Sequence, residues 1–447
     1  MQNITKLQVE QKPSLNQKLS LNEMLSHGIR SLGKNLLWLA SAQFSGRVVR
    51  LGASVITARL LTPEIFGQVA IVLTLFELIC TPTRRITSAA LIRMNDDEFT
   101  DNLVSANTIN FASCISAFVL MSLISLPLVF YYQDTQLILP ILFVASSYLL
   151  LPFGMLYATI NLRNNNMRKV ASANLWQTVG DGVLTAILAL SGFGIWAIII
   201  PKVVMVFVWI VIHKKSTPLP AFTQAVSLER IKSLLTFSVP VSLSDLINTL
   251  RQSIDYLVIG YFMGVEALGV YFFAYNVSLG VSLGLVQSFG TAFYSHLCSN
   301  KDEANSQATI QSAQQKYRNS VIAITAIAAP IIILQTSLAP LYVPFVYGEQ
   351  WLSTDAISVF VYLCLSGLVR PMAEAASQSL LANGHSRLNF NLNIAITALL
   401  TLVISIASQF DLTTVALSVM VTYLITMPWL CWYSSRISFN RSTVKHS

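Results

Sequence analysis

"SLSDLINTLRQSIDYLVIGYFMG", Ser242 to Gly264, decides the fold. It is apolar enough to cross a membrane as a helix, yet it carries Asp245, Arg251 and Asp255. Inserting a charge at the centre of such a helix costs at least about 2.5 kcal/mol. At 3.6 residues per turn, Asp245, Asn248, Arg251, Gln252 and Asp255 fall within about 120° of arc. One side of this helix is therefore polar and must border a hydrophilic space rather than lipid.

The rest of the chain has the same character. Of its 447 residues, 54% are hydrophobic and 11% charged. Soluble proteins carry roughly 25% charged residues, so this is an integral membrane protein. Residues 1–31 are polar and include Lys6, Lys12 and Lys18, with no apolar core leading to a cleavage site, so they read as a cytoplasmic tail and not as a signal peptide. The five cysteines are far apart and show neither metal-ligand nor CxxC spacing. They read as small apolar fillers.

A span needs about 20 mainly apolar residues. Twelve stretches qualify, near 35–58, 64–83, 104–131, 137–160, 170–191, 194–213, 234–262, 267–296, 319–342, 354–382, 389–410 and 412–434. Basic residues mark cytoplasmic loops and test the count. They cluster before the first span (Lys6, Lys12, Lys18, Arg30, Lys34) and after the second (Arg84, Arg85, Arg93). They recur after the fourth (Arg163, Arg168, Lys169), the sixth (Lys214, Lys215, Arg230, Lys232) and the eighth (Lys301, Lys316, Arg318). Arg387 follows the tenth, and Arg436, Arg441 and Lys445 follow the last. The alternate loops hold almost none, with Arg59 alone at an external end. The expected fold is all-α, with about twelve transmembrane helices and both termini cytoplasmic.

An offset of 202 residues aligns "WLASAQFSGRVVRLGASVITARLLTPEIFGQVA", from Trp38, with "PVSLSDLINTLRQSIDYLVIGYFMGVEALGVYF", from Pro240. Glu64 then meets Glu266, Gly67 meets Gly269, and Arg47 and Arg50 bracket the position of Arg251. That offset fits two pseudo-symmetric six-helix bundles related by an axis along the membrane normal. The expected layout is a tail (1–33), an N-lobe (34–213), a cytoplasmic linker (214–232), a C-lobe (233–435) and a second tail (436–447).

The ionisable groups near or within the spans are Arg47, Arg50, Arg59, Lys202, Arg251, Arg370, Glu77, Asp181, Asp245, Asp255 and Glu374. Gln43, Arg47, Arg50, Ser54 and Thr57 share about 80° of one helix. Asn174, Gln177, Thr178, Asp181 and Thr185 form a similar stripe, as do Ser366, Arg370, Glu374, Ser377 and Gln378. Four helices, two from each half, thus turn a polar side to a common interior. Arg251–Asp255 and Arg370–Glu374 have the spacing of structural salt bridges, so they serve either structure or function. Lys202 pairs with Asp181 or meets a ligand. Arg47 and Arg50 lie one turn apart with no acid on their own helix. They need an anionic partner, either Glu77 or Asp181 or a ligand, and the planar guanidinium suits phosphate.

Other chemistry is missing. "GIRSLGKN" (Gly28 to Asn35) falls short of a phosphate-binding loop because Asn35 replaces the metal-holding hydroxyl and no strand precedes it. The scattered histidines show no metal spacing, no nucleophile–base set stands out, and the basic residues follow topology rather than a nucleic-acid-binding patch. No cofactor or metal is expected.

"TARLLTPEIFGQVA" (Thr57 to Ala70) and "RQSIDYLVIGYFMGVEALGVYFFAYN" (Arg251 to Asn276) resemble signatures of polysaccharide flippases of the Wzx type. Those belong to a superfamily that also holds lipid II flippases and multidrug and toxin extrusion proteins. The resemblance implies a V-shaped pair of six-helix lobes. It also implies movement of undecaprenyl-diphosphate-linked oligosaccharide from the cytoplasmic to the outer leaflet of a bacterial inner membrane, for O-antigen, capsule or exopolysaccharide. Arg47, Arg50, Arg251 and Arg370 are then the candidates to hold the diphosphate or acidic sugars. Asp181, Lys202, Asp245, Asp255, Glu374 and Glu77 are candidates for ion coupling or for pairing. The resemblance further implies membrane lipid, a polysaccharide polymerase and a chain-length regulator as partners. The chain lacks the two extra C-terminal spans typical of lipid II flippases.

Two other readings compete. A proton- or sodium-coupled exporter of small molecules would need acids unpaired by arginine. A membrane polymerase or ligase would need a large external loop, and no external loop is long.

Overall fold

The computed structural model describes residues 45–164, 166–219, 225–299, 307–352, 355–383 and 385–438, and all regular structure among them is helical. The tail 1–33, the "GIRSLGKN" stretch, the first ten residues of the first expected span with Gln43, the centre of the linker and residues 439–447 lie outside the described residues.

The helices are α1 (45–60), α2 (Pro63–Arg85), α3 (Ser88–Arg93), α4 (Asp96–Tyr132), α5 (Ile138–Leu150), α6 (Pro152–Arg163) and α7 (Met167–Leu190). They continue as α8 (Trp196–Ser216), α9 (Leu228–Ser299), α10 (Gln307–Tyr347), α11 (Ala356–Ser366), α12 (Arg370–Ala382), α13 (Ser386–Ala407) and α14 (Leu412–Ser438). Among the described residues, eight helical segments are long and apolar enough to cross a membrane, or nine if the pair bent by 55° before Pro152 is one span.

Local chemistry sets the boundaries. Thr62 caps α2, its hydroxyl accepting from Ile65 N at 3.4 Å, and Pro63 opens the helix without needing a hydrogen-bond acceptor. Arg84 and Arg85 sit in its last turn, where the helix dipole favours cations. Both were expected in the following loop. In α9 the break is Gly264, with φ 87° and ψ −175°, which divides the long run into two arms. Only glycine adopts such a backbone without strain. The arms lie side by side, since the ring of Tyr256 on the first sits 6.0 Å from that of Tyr271 on the second.

α2 and the second arm of α9 cross in close contact beside the Gly264 break. A Cβ on Gly67 would overlap the backbone of Val265, and a Cβ on Gly269 would overlap Pro63 and the Gly67 amide. Val265 is 202 positions after Pro63, and Gly269 is 202 after Gly67. Each glycine therefore faces the repeat counterpart of the other's neighbour, which is the pattern of a two-fold contact. Small residues allow helix backbones to approach this closely in a membrane.

The end poor in basic residues is packed shut. Phe66, Phe273 and Trp351 form one cluster there, with Phe273 stacked on Trp351 at 3.7 Å and Phe66 edge-on to Trp351 at 5.6 Å. Tyr131 on α4 stacks on Tyr261 at 5.1 Å and donates to its carbonyl. At the basic end, Leu234 on the first arm of α9 packs with Leu91, Phe99, Leu103 and Ile160. Arg230 donates to the Asp101 carbonyl at 2.8 Å, and Arg163 reaches Asp96 at 2.7 Å and the Leu91 carbonyl at 2.8 Å.

Candidate functional site

Four helices carry the ionisable interior: α1, α7, the first arm of α9, and α12. α1 leans on α7, where a Cβ on Gly46 would sit 3.1 Å from Thr178 and one on Gly182 would sit 2.9 Å from Val49. Gly46 and Val49 thus define the face of α1 turned to α7, and Arg47 and Arg50 stand on the adjoining side of the same helix. Arg47 is half-buried and Arg50 exposed. The two are close enough to repel each other, and neither has a carboxylate within 4.0 Å among the described residues. The two acids considered as their partners do not fill that role. Asp181 is taken by Lys202 of α8 at 2.7 Å, and Glu77 stands exposed on α2.

The pair of Asp181 and Lys202 is a bridge between α7 and α8. Only one oxygen of Asp181 is used; its Oδ1 is buried and has no partner. Lys202 follows Pro201, whose missing amide loosens α8 where the lysine must turn inward.

In the C-terminal half the expected i,i+4 bridges do not form. Arg251 and Asp255 are not within ion-pair distance, nor are Arg370 and Glu374. Asp255 is 7% exposed and turns to the second arm of α9 instead, accepting from the Tyr271 hydroxyl at 3.0 Å and from the Tyr256 amide at 3.0 Å. Arg370 lies between two tyrosines, its guanidinium 5.5 Å from the ring centre of Tyr275 and 5.3 Å from that of Tyr423. It donates to the Tyr275 hydroxyl at 3.4 Å. Glu374 accepts from Gln378 at 2.7 Å on its own helix. Two guanidinium Nε atoms, of Arg251 and Arg370, are buried without a partner. The spacing rule failed here because an aromatic hydroxyl from the neighbouring arm reached the carboxylate first, and the ring faces offered the cation an alternative.

Asp245 finds its partner outside the expected set. Arg85 at the end of α2 reaches it at 2.9 Å, with both side chains partly exposed. Arg84 lies over Trp209 of α8 at 5.4 Å. Sequence reading counted Arg85 as a loop residue, and a pairing over 160 positions leaves no local signal.

Arg50, Glu77, Asn174, Asn248 and Gln252 are exposed on their helices, and all five fall in stretches expected from the sequence to span the membrane. Hydrocarbon cannot satisfy such groups, so those stretches would need water or polar protein beside them. The arrangement can hold an anion at Arg47 and Arg50, while Lys202, Arg85, Asp181, Asp245, Asp255 and Glu374 are engaged with protein partners.

Several helices long and apolar enough to cross a membrane, with charged side chains among them, make this a multi-pass helical membrane protein. The chain belongs to the family described as polysaccharide biosynthesis protein, which it matches over residues 56–356. It is similar to teichuronic acid biosynthesis protein TuaB of Bacillus subtilis, 25% identical over 68% of this chain and 61% of that one. It is similar to succinoglycan biosynthesis transport protein ExoT of Rhizobium meliloti, 25% identical over 72% of this chain and 64% of that one. The chain thus spans between three fifths and two thirds of these curated relatives. The fold resembles that of lipid II flippase MurJ in an inward closed conformation, with TM-score 0.72 and 13% identity over 89% of this chain and 87% of that one.

Proposed function

We propose that this chain is a flippase that moves undecaprenyl-diphosphate-linked oligosaccharide from the cytoplasmic to the outer leaflet of a bacterial inner membrane. The observation that carries the reading is the pair Arg47 and Arg50, two neighbouring guanidinium groups with no carboxylate partner among the described residues. Two like charges left unpaired inside a membrane protein are costly, and a diphosphate is the ligand whose charge and geometry offset both. Membership of the polysaccharide biosynthesis family supplies the glycan side of the argument.

On this reading twelve spans form two six-helix lobes, 34–213 and 233–435, with both termini in the cytoplasm. The lobes rock about the midplane of the membrane. The head group enters at the basic end, meets Arg47 and Arg50, and leaves once the opposite end opens. Arg251 and Arg370 engage the glycan or reorient as the interior widens. The prenyl tail stays in lipid. The glycan is then available to a polymerase and its chain-length regulator. Ion-coupled export of small molecules is the second reading: Asp255, Glu374 and Glu77 have no basic side chain within ion-pair distance among the described residues, and it stands second because the family match is to polysaccharide biosynthesis.

The test is deletion of the gene in its own organism, followed by mass spectrometry of the lipid extract and assay of sidedness in vesicles. Undecaprenyl-diphosphate glycan should accumulate on the cytoplasmic side. Unchanged lipid intermediates with normal surface polysaccharide would overturn the reading.

A further inference from the structure

The end poor in basic residues is held by an exchange of helix caps between two helices far apart in sequence. The last turn of an α-helix leaves four carbonyls without an intrahelical partner. At the end of α1, the Ala58 carbonyl accepts from the Trp351 indole N–H at 3.1 Å and also from the Gln350 amide. The Leu61 carbonyl accepts from Gln350 at 3.1 Å. Both donors stand in the short 3-10 turn Glu349–Trp351 that follows α10. The favour is returned. Arg59, in the last turn of α1, donates through Nε to the Val346 carbonyl at 2.7 Å and through its other arm to Phe345. Those two carbonyls are among the orphans at the end of α10. Trp351 is fully buried in the stack with Phe273 and Phe66.

We propose that this mutual capping of α1 and α10 is the latch that keeps the external end closed, and that its release loosens the end of the helix bearing Arg47 and Arg50. The proposal rests on the alternating-access reading above and adds the device that sets its resting state. Each side caps the other, so separation frees all four carbonyls together. Partial opening gains no carbonyl a new protein partner, which makes the closure two-state rather than gradual. Water must replace the lost donors, so the last turn of α1 frays when the end opens.

The test reads conformation and not transport. Ser54 lies on α1 beneath the latch and is half-buried. Ser54→Cys would be labelled in intact cells with a membrane-impermeant maleimide, with the unmodified chain as the background. With the latch intact, labelling from outside should be slow. Adding Arg59→Ala and Trp351→Ala should raise the rate several-fold. Trp351→Phe keeps one aromatic ring on Phe273 and removes the N–H donor with the second ring, so it should give a smaller rise than Trp351→Ala in a chain that still folds, as judged by monodispersity in detergent, while Arg59→Ala removes capping donors without touching the stack. Unchanged labelling in both variants would overturn the latch while leaving the flippase reading to the lipid assay. A labelling rise with Trp351→Ala but none with Trp351→Phe or Arg59→Ala would also overturn it, because packing alone would then hold the end closed.

Discussion

Gly67 and Gly269 occupy equivalent places in a 202-residue repeat and meet backbone to backbone, each fitted against the other's surroundings. Neither has room for a methyl group. Gly67→Ala or Gly269→Ala should force α2 and the second arm of α9 apart, at about 1–3 kcal/mol of overpacking. The thermal midpoint in detergent should fall for both. Gly52 on α1 is the control, since a Cβ there meets nothing within 4 Å. Gly52→Ala should leave the midpoint unchanged or raise it, gaining about 0.5–1 kcal/mol of helix preference. Equal effects at Gly52 and Gly67 would refute the close crossing.

Arg47→Ala and Arg50→Ala should each remove a charge-assisted contact with the anionic head group. Such bonds contribute about 1.5–3 kcal/mol, so affinity for a diphosphate lipid should fall roughly tenfold to a hundredfold. Native mass spectrometry with undecaprenyl diphosphate measures this directly. Stability should not fall, since no carboxylate loses a partner. Arg47→Lys should recover only part of the binding, because an ammonium cannot hold two oxygens in a planar fork.

Lys202→Ala should be destabilising for a different reason. It leaves Asp181 charged and without its partner, and with the two side chains 34% and 18% exposed the cost should fall between that of a surface pair and that of a buried one, about 1–3 kcal/mol. Lys202→Ala with Asp181→Ala should recover much of that loss. A double-mutant cycle on thermal stability gives the coupling, and additive losses would mean that the pair is not a bridge.

Much of this architecture was legible in the chain and some was not. Each stretch picked out by hydropathy is helical over most of its described length, because a span must satisfy its own backbone and so is written locally in apolar residues. Eight or nine helical segments among the described residues qualify as spans, however, and 170–191 is not one of them. The break at Gly264 and the correspondence of Gly67 with Gly269 were likewise written in glycine. The charge partners were harder. Arg251–Asp255 and Arg370–Glu374 satisfied a helix-surface rule, yet Asp255 chose Tyr271 and Arg370 chose Tyr275 and Tyr423. Tyrosines in an apolar span carry no charge to distinguish them from filler. Arg85 was hidden by its neighbours, since a basic cluster at a helix end reads as a topology signal.

Arg85 and Asp245 are partly exposed, so their bridge should contribute little to stability, about 0.2–1 kcal/mol. Arg85→Ala should therefore shift the thermal midpoint only slightly. If the bridge holds α2 to α9 during the transport cycle, Arg85→Asp should impair flipping and Arg85→Asp with Asp245→Arg should restore it. Failure of the swap to rescue, with both variants folded, would remove the bridge from the cycle.

Tyr271→Phe removes one of the two hydrogen bonds to the buried Asp255 carboxylate. The loss should be about 1–3 kcal/mol, seen as a lower thermal midpoint. Asp255→Asn in the same chain should offset part of it by removing the charge.

Arg163 closes α6 and Arg230 stands in the first turn of α9, both in stretches expected from the sequence as basic loops, and both are tied to the start of α4, one to Asp96 and the other to Asp101. On the proposed topology each side chain has two successive uses during biogenesis. While the nascent chain is being threaded, its positive charge holds the loop back from translocation. Once α4 is in place, the same charge becomes a strut that pins that loop to the folded bundle. Replacing either arginine with lysine would keep the first use and weaken the second, so a defect in assembly could be separated from a defect in insertion.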